Sequence, residues 1–121
     1  MKEILAQESY LAAKKMLDYA ALRQKVLAHN VANINTPGFK RQEVAFTEEL
    51  SSAMDGGADD ILNIDFKVFE TDDIALRNDG NNVDIDKEMS FLAQNSFKFS
   101  MFADILGDKL SKLKQAITQT T

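Results

Sequence analysis

Residues 29–41 read "HNVANINTPGFKR", and they break a helical rhythm that has run since the start of the chain. Ahead of them Tyr10, Ala13, Leu17, Ala20, Gln24, Leu27, Val31 and Ile34 follow alternating steps of three and four, with Gln24 the one polar residue in the row. That is the roughly 3.5-residue repeat of a seam meant for another helix, on a stretch rich in the good helix formers Ala and Leu. Leu11, Leu22 and Val26 add a weaker second stripe. Within the quoted stretch Asn30 and Asn33 share a helix face, and Asn35 stands just before Thr36-Pro37-Gly38. Pro37 biases Thr36 away from helical angles, and Pro-Gly suits the central pair of a type II turn in which Gly38 takes positive φ. The helix must end here and the chain must turn, with the amides placed to cap locally or pair laterally.

The other end of the chain repeats the pattern. Ile85, Met89, Leu92, Ser96, Phe99, Ala103, Leu106, Leu110, Leu113 and Ile117 step by four and three, and only Ser96 interrupts them. Asp84 is placed as an N-cap, Asp86 and Glu88 put negative charge in the first turn, and Lys109, Lys112 and Lys114 suit the far end of the helix dipole. A helix from about 3 to 33 and another from about 84 to 118 would each be ~45 to 55 Å long. Phe91, Phe102 and Ile105 lie off the main C-terminal stripe, so this helix offers apolar surface to more than one neighbour. Gly107 weakens a solitary helix by about 1 kcal/mol relative to Ala.

Between the helices the material changes. "FKRQEVAF" can extend, Thr47 offers a cap for a short helix over "TEELSSAM", and "DGGADD" breaks any pattern. In "LNIDFKVF", residues 62–69, Leu62, Ile64, Phe66 and Val68 alternate on one side as in a strand, and Asp79-Gly80 supplies a turn. The expected fold is mainly α. A single unit, 1–121, holds two long terminal helices (1–35 and 83–121) forming a coiled-coil-like pair, joined over 36–82 by an irregular segment with short extended elements.

Composition narrows the function. At 121 residues the chain suits one domain or less, which would bury roughly two thirds of its unfolded surface. Net charge is −5, and residues 47–90 carry 13 Asp/Glu against three Lys/Arg, leaving six acids and eleven bases elsewhere. An acidic middle between mildly basic ends argues against a nucleic-acid groove, and "FKR" at 39–41 is too short to make one. There is no cysteine for a disulfide or thiolate site. The N-terminus has no apolar run suited to a signal-peptide core, and no 18 consecutive apolar residues occur, so no membrane insertion is expected. A calcium loop started at Asp84 would have Met89 where Gly is needed and Asn95 where Glu is needed. The single histidine, His29, has no second imidazole or nucleophile motif around it, and glycine-rich phosphate loops are absent. No enzyme, metal site or cofactor is expected.

The words "ANINTPGF" resemble the Ala-Asn-x-x-Thr-Pro-Gly-Phe/Tyr signature near the N-termini of bacterial flagellar rod and hook proteins. "RNDGNNVDIDKEM", residues 77–89, and the seamed helix after it resemble the C-terminal half of the proximal rod members, whose short length also matches. The resemblance implies a structural subunit of the basal-body rod, located outside the cytoplasmic membrane and exported by the flagellar type III apparatus without signal cleavage. Its partners would be other rod subunits and basal-body base proteins, in homo- and hetero-oligomeric contacts. Asn30, Ala32, Asn33, Thr36, Pro37, Gly38 and Phe39 would fix the angle at which the chain leaves the inner helix, and Asp79, Gly80, Asn81, Asn82, Val83 and Asp84 would bring it back. Packing would run through Leu17, Leu27, Val31, Ile85, Met89, Leu92, Phe99, Leu106, Leu110, Leu113 and Ile117. A small acidic helical adaptor or export chaperone, binding one amphipathic helix of a client, accounts for the acidity and the exposed seams but not for the two motifs together.

Overall fold

The computed structural model describes residues 2–46, 61–75 and 77–119, with side chains from Glu8 onward. Helix α1 spans Lys2–Ala32, strands β1 and β2 span Gln42–Phe46 and Phe66–Glu70, and helix α2 spans Ile85–Gln119. The helices run antiparallel, since Glu88 near the start of α2 meets Asn30 near the end of α1, while Asn95 meets Ala20. The expected mainly helical architecture is the one observed. The short helix expected after Thr47 lies outside the described residues.

On α1 the inward row is Ala13, Ala20 and Leu27, one residue per seven, all buried, with Val26 beside them. Two small residues in that row let α2 come close. On α2 the buried residues are not those of the apolar stripe. Glu88 and Asn95, also seven apart, are fully buried, whereas Met89 is 54% exposed and Phe97 72%. The helix is turned about one position from the orientation its hydrophobic pattern alone would choose, because both polar side chains have partners across the interface. The polar interruptions of the two apolar rows meet each other, Gln24 Nε2 donating to Ser96 Oγ at 3.2 Å.

Strands β1 and β2 form a two-stranded antiparallel ribbon with Gln42 opposite Glu70, Val44 opposite Val68 and Phe46 opposite Phe66. The outer edge of β1 is covered by α1: Tyr19 donates its hydroxyl to the Val44 carbonyl at 3.2 Å and stacks on Phe46 at 4.2 Å. A small cluster of Ile61 and Ile64, with Leu11, Phe46 and Phe66 against it, closes this side. The strand expected over residues 62–69 starts later and runs further, to Glu70, because Ile64 N donates to Ile61 O and turns the preceding residues. Ile64 is therefore buried, but Leu62 and Val68 stand in solvent and do not share its side as the alternation predicted.

The turn after α1 has the expected geometry. Phe39 N donates to Thr36 O at 3.2 Å, enclosing Pro37 and Gly38, and Gly38 has φ 72°. Gly80 takes φ 80° in the second turn and lies against the first. A Cβ at Gly38 would meet nothing within 4 Å, so what a side chain adds there is backbone strain and not a clash. Gly38→Ala and Gly80→Ala are expected to lower stability by about 1–2 kcal/mol each. Gly107→Ala, inside α2 with open space around it, is expected to raise it by about 1 kcal/mol. Urea unfolding midpoints at constant m-value check all three.

Candidate functional site

The two motifs that interrupt the helices are halves of one structure. Asn81, fully buried, donates Nδ2 to the carbonyls of Asn33, Ile34 and Thr36 at 2.9–3.0 Å. These carbonyls lie just beyond the end of α1, in the turn that leads away from it. Arg77 Nη1 donates to Ile34 O as well. The Oδ1 of Asn81 accepts from Val83 N at 2.8 Å, shaping the backbone that leads into α2. Gly38 N donates to Asp79 O at 2.8 Å, and Lys40 Nζ donates to Gly80 O at 2.5 Å, so the glycine turns are bonded back to back. Asn82 fastens the outgoing chain: its Oδ1 accepts from Arg41 N at 2.6 Å and its Nδ2 donates to the carbonyls of Thr71 and Asp73.

Asn30 acts as a piece of β-strand supplied by a helix. Its Nδ2 donates to Gln42 O and its Oδ1 accepts from Gln42 N, both at 2.8 Å, so one side chain satisfies both backbone groups of the first β1 residue. The same amide donates to Glu88 Oε2 at 3.2 Å. Arg41 Nε donates to Glu88 Oε1 at 2.5 Å, and the rest of its guanidinium pairs with Glu43 at 2.8 Å and Asp73 at 3.5 Å. Arg23 reaches Glu43 from α1 at 2.6 Å. Both guanidinium groups lie over the Phe91 ring, at 5.4 and 5.3 Å. Burial pushes the Glu43 carboxyl up, but hydrogen bonds from Arg23 and Arg41 outweigh it and hold the carboxyl below its ordinary value of about 4.5.

Of the residues expected to fix the chain path, Asn30, Asn81, Asn82 and Val83 are buried in this joint. Asn33 bonds locally to His29 O and receives the Thr36 hydroxyl. Phe39 packs its ring edgewise on His29 at 5.6 Å. Asp79 Oδ1 accepts from Asn81 N. Asp84 caps α2 as expected, its Oδ1 accepting from Asp86 N at 3.0 Å. Ala32, Thr36, Pro37 and Gly38 are on the surface. Among the residues expected to pack, Leu27 is buried, and Leu17, Val31, Leu92 and Leu106 are half-buried. Ile85, Met89, Phe99, Leu110, Leu113 and Ile117 are exposed on the isolated chain, where Glu88 and Asn95 occupy the inward positions.

Arg41, Arg23 and Glu43 carried no sequence signal beyond ordinary charges. Glu88 and Asn95 carried none either, since both lie off the apolar stripe of α2. Among the described residues no three His, Cys, Asp or Glu side chains group as a metal site requires, and no described helix is long and apolar enough to cross a membrane. The chemistry of the site is spent on holding two helices and a ribbon at fixed angles while a long apolar row remains outside.

Such a molecule is a structural building block. A family model described as "Flagella basal body rod protein" matches residues 17–40, the second half of α1 and the turn after it. The chain is 34% identical over 112 residues to the flagellar basal body rod protein FlgB of Bacillus subtilis (strain 168), covering 84% of this chain and 87% of that one. It is 41% identical to the FlgB of Borrelia hermsii, with 77% and 83% covered. To the FlgB of Salmonella typhimurium (strain LT2) it is 27% identical, with 86% and 88% covered. The chain belongs to the FlgB family of flagellar basal body rod proteins.

Arg41→Ala leaves the Glu88 carboxylate buried without its guanidinium and is expected to cost about 3–5 kcal/mol in urea unfolding, while Arg41→Met combined with Glu88→Leu costs less. Glu43 has a folded pKa below its unfolded one. Its contribution is therefore complete above about pH 4.5 and lost as pH falls through the folded value. Glu43→Gln is accordingly expected to lower the melting temperature at neutral pH and to flatten its decline on acidification.

Proposed function

We propose that this chain is a structural subunit of the proximal part of the flagellar rod, built into it by the exposed apolar side chains of α2. Met89, Phe97, Met101, Leu110 and Leu113 are 41–58% exposed, or 72% for Phe97, along one long helix. That observation carries the reading, because a soluble monomer has no use for so extended an apolar surface. Each such side chain contributes about 1.5–3 kcal/mol when fully buried, of which assembly retains the part left after lost rotational and translational freedom. Heterologous contacts of this kind do not close on themselves and so build a tube.

In this reading the joint of Asn30, Asn81 and Arg41 sets the angle at which the ribbon leaves the helical pair, and the exposed row meets neighbouring rod subunits and base proteins. Family membership supports the location in the basal body. Passage through the flagellar type III export apparatus without signal cleavage, and a role as a building block and not as a catalyst, belong to the same proposal.

The test uses Phe97→Asp and Leu113→Asp. Both positions are exposed, so each substitution is expected to leave the unfolding free energy of the purified chain within about 0.5 kcal/mol. In cells both are expected to abolish swimming and to remove the chain from purified basal bodies, where mass spectrometry is expected to find the wild-type chain with its N-terminal segment uncleaved. Normal swimming with normal basal bodies in both variants would overturn the assembly surface. Retention of the wild-type chain as a soluble cytoplasmic complex, absent from basal bodies, would instead favour the adaptor.

A further inference from the structure

The two strands of the ribbon are not equally protected, and the direction of their backbone groups shows where the ribbon is open. In an antiparallel strand the N–H and C=O of one residue point to the same side. The Asn30 amide bonds both backbone groups of Gln42, and the Val44 carbonyl accepts from Tyr19, so these two residues face α1. Glu43 and Ala45 therefore face β2, where Phe69 and Lys67 stand opposite them. Thr71 N donates to Arg41 O at 2.9 Å and continues the same ladder. By this alternation Phe66, Val68 and Glu70 turn their N–H and C=O groups away from the ribbon. Among the described residues none of those groups has a hydrogen-bond partner.

An open edge of this kind is a template for another strand unless proline, a bulge, charge or a covering element blunts it. Strand β1 has its covering helix. Strand β2 reads Phe-Lys-Val-Phe-Glu, without Pro or Gly, and three of its five residues are aromatic or β-branched, types that favour strands. Val68 and Phe69 are 42% and 39% exposed. Because β1 is covered, a second copy of the chain has only its own β2 to offer, and such pairing stops at two. Alternation allows the antiparallel registers in which outward-facing residues meet each other. Centred on Lys67 or on Val68, the pair sets the two Lys67 side chains opposite or diagonal to one another, which like charges oppose. Centred on Phe69, it exchanges about four backbone bonds between Val68 and Glu70 of the two copies. That register also sets the two Phe69 rings against each other and brings Lys67 diagonally beside Asp73 of the second copy, whose side chain is 61% exposed.

We infer that the open edge of β2 is a pairing surface for β2 of a second copy, antiparallel and centred on Phe69, which gives the chain a closed dimeric form outside the rod. The inference goes beyond the rod reading and does not rest on it. A twofold pair closes on itself, whereas contacts that build a tube do not, and the purified chain shows the pair whether or not it enters basal bodies.

Sedimentation of the purified full chain tests this, with Phe97→Asp present throughout so that association through α2 does not intrude. A dimer is expected to build up as concentration rises from about 10 µM to about 1 mM. Val68→Pro removes an outward N–H and leaves the ladder to β1 intact, as proline does on the open side of an edge strand. It is expected to raise the dimer dissociation constant about tenfold or more with little change in melting temperature. Phe69→Lys places like charges opposite each other and is expected to do the same. The chain has no cysteine, so introduced ones report alone. Phe69→Cys is expected to link two copies by a disulfide in a thiol buffer, since the Cα atoms of a directly opposed pair lie about 4.5 Å apart. Lys67→Cys, which stands away from its own equivalent in this register, is expected not to link. A monomer over the whole range, a dimer that both substitutions leave unchanged, or equal linking at 67 and 69 would overturn the inference. If Val68→Pro fails to fold by circular dichroism, Phe69→Lys decides alone: loss of the dimer upholds the inference and its persistence overturns it.

Discussion

The Glu88 carboxylate, sealed from solvent in the first turn of α2, sets the terms for everything around it. Removing a carboxylate from water costs several kcal/mol unless a matched partner and further hydrogen bonds replace the lost hydration. Here Arg41 Nε and the Asn30 amide supply them. Arg41 sits at the root of β1 with its own backbone N–H held by Asn82, and Asn30 holds the next residue of β1 by both backbone groups. The end of α1, the start of the ribbon and the start of α2 therefore cannot be moved separately. Any displacement of one leaves a charge or an amide buried without its partner.

Apolar burial plays the smaller role at this joint and the larger one elsewhere. Leu27 and Ala20 fill the space between the helices, and Tyr19, Phe46 and Phe66 fix the ribbon against α1. Beyond that, α2 keeps much of its apolar surface outside, up to Leu113 at 58% exposure. On the reading proposed above, that surface has a use in the assembled rod that the isolated chain lacks. Directional polar bonds determine the shape of the subunit, and on that reading non-directional apolar contact is left for its neighbours.

Both long helices were legible in the sequence because each carries a sustained repeat, a capping residue or a breaker. Asp84 and the Pro37-Gly38 turn act as local chemistry predicts. The orientation of α2 was not legible, since hydrophobic pattern ranks Met89 above Glu88, and only a partner on another segment can reverse that order. Arg41 lies in a run of charges too short to mean anything by itself, and its value appears when Asn82, Glu43 and Glu88 surround it. The asparagines of the two motifs were visible as candidates for capping, but not that Asn81 would hold the turn after α1, reaching the carbonyl of Thr36 45 residues earlier. Local rules describe where elements begin and end, while these amides act between elements.

The span of those bonds bears on timing. Asn30 and Glu88 are 58 positions apart, Arg41 and Glu88 are 47, and Asn95 and Ala20 are 75. Closing loops of that size costs entropy before any contact returns it, and none of these bonds can form while the segment from Asn81 to Asn95 is missing. A chain emerging from its N-terminus, whether from a ribosome or from a pore, therefore carries α1 without the partners that hold it. Commitment to the folded shape comes in the last third of the chain, and until then the molecule stays threadable.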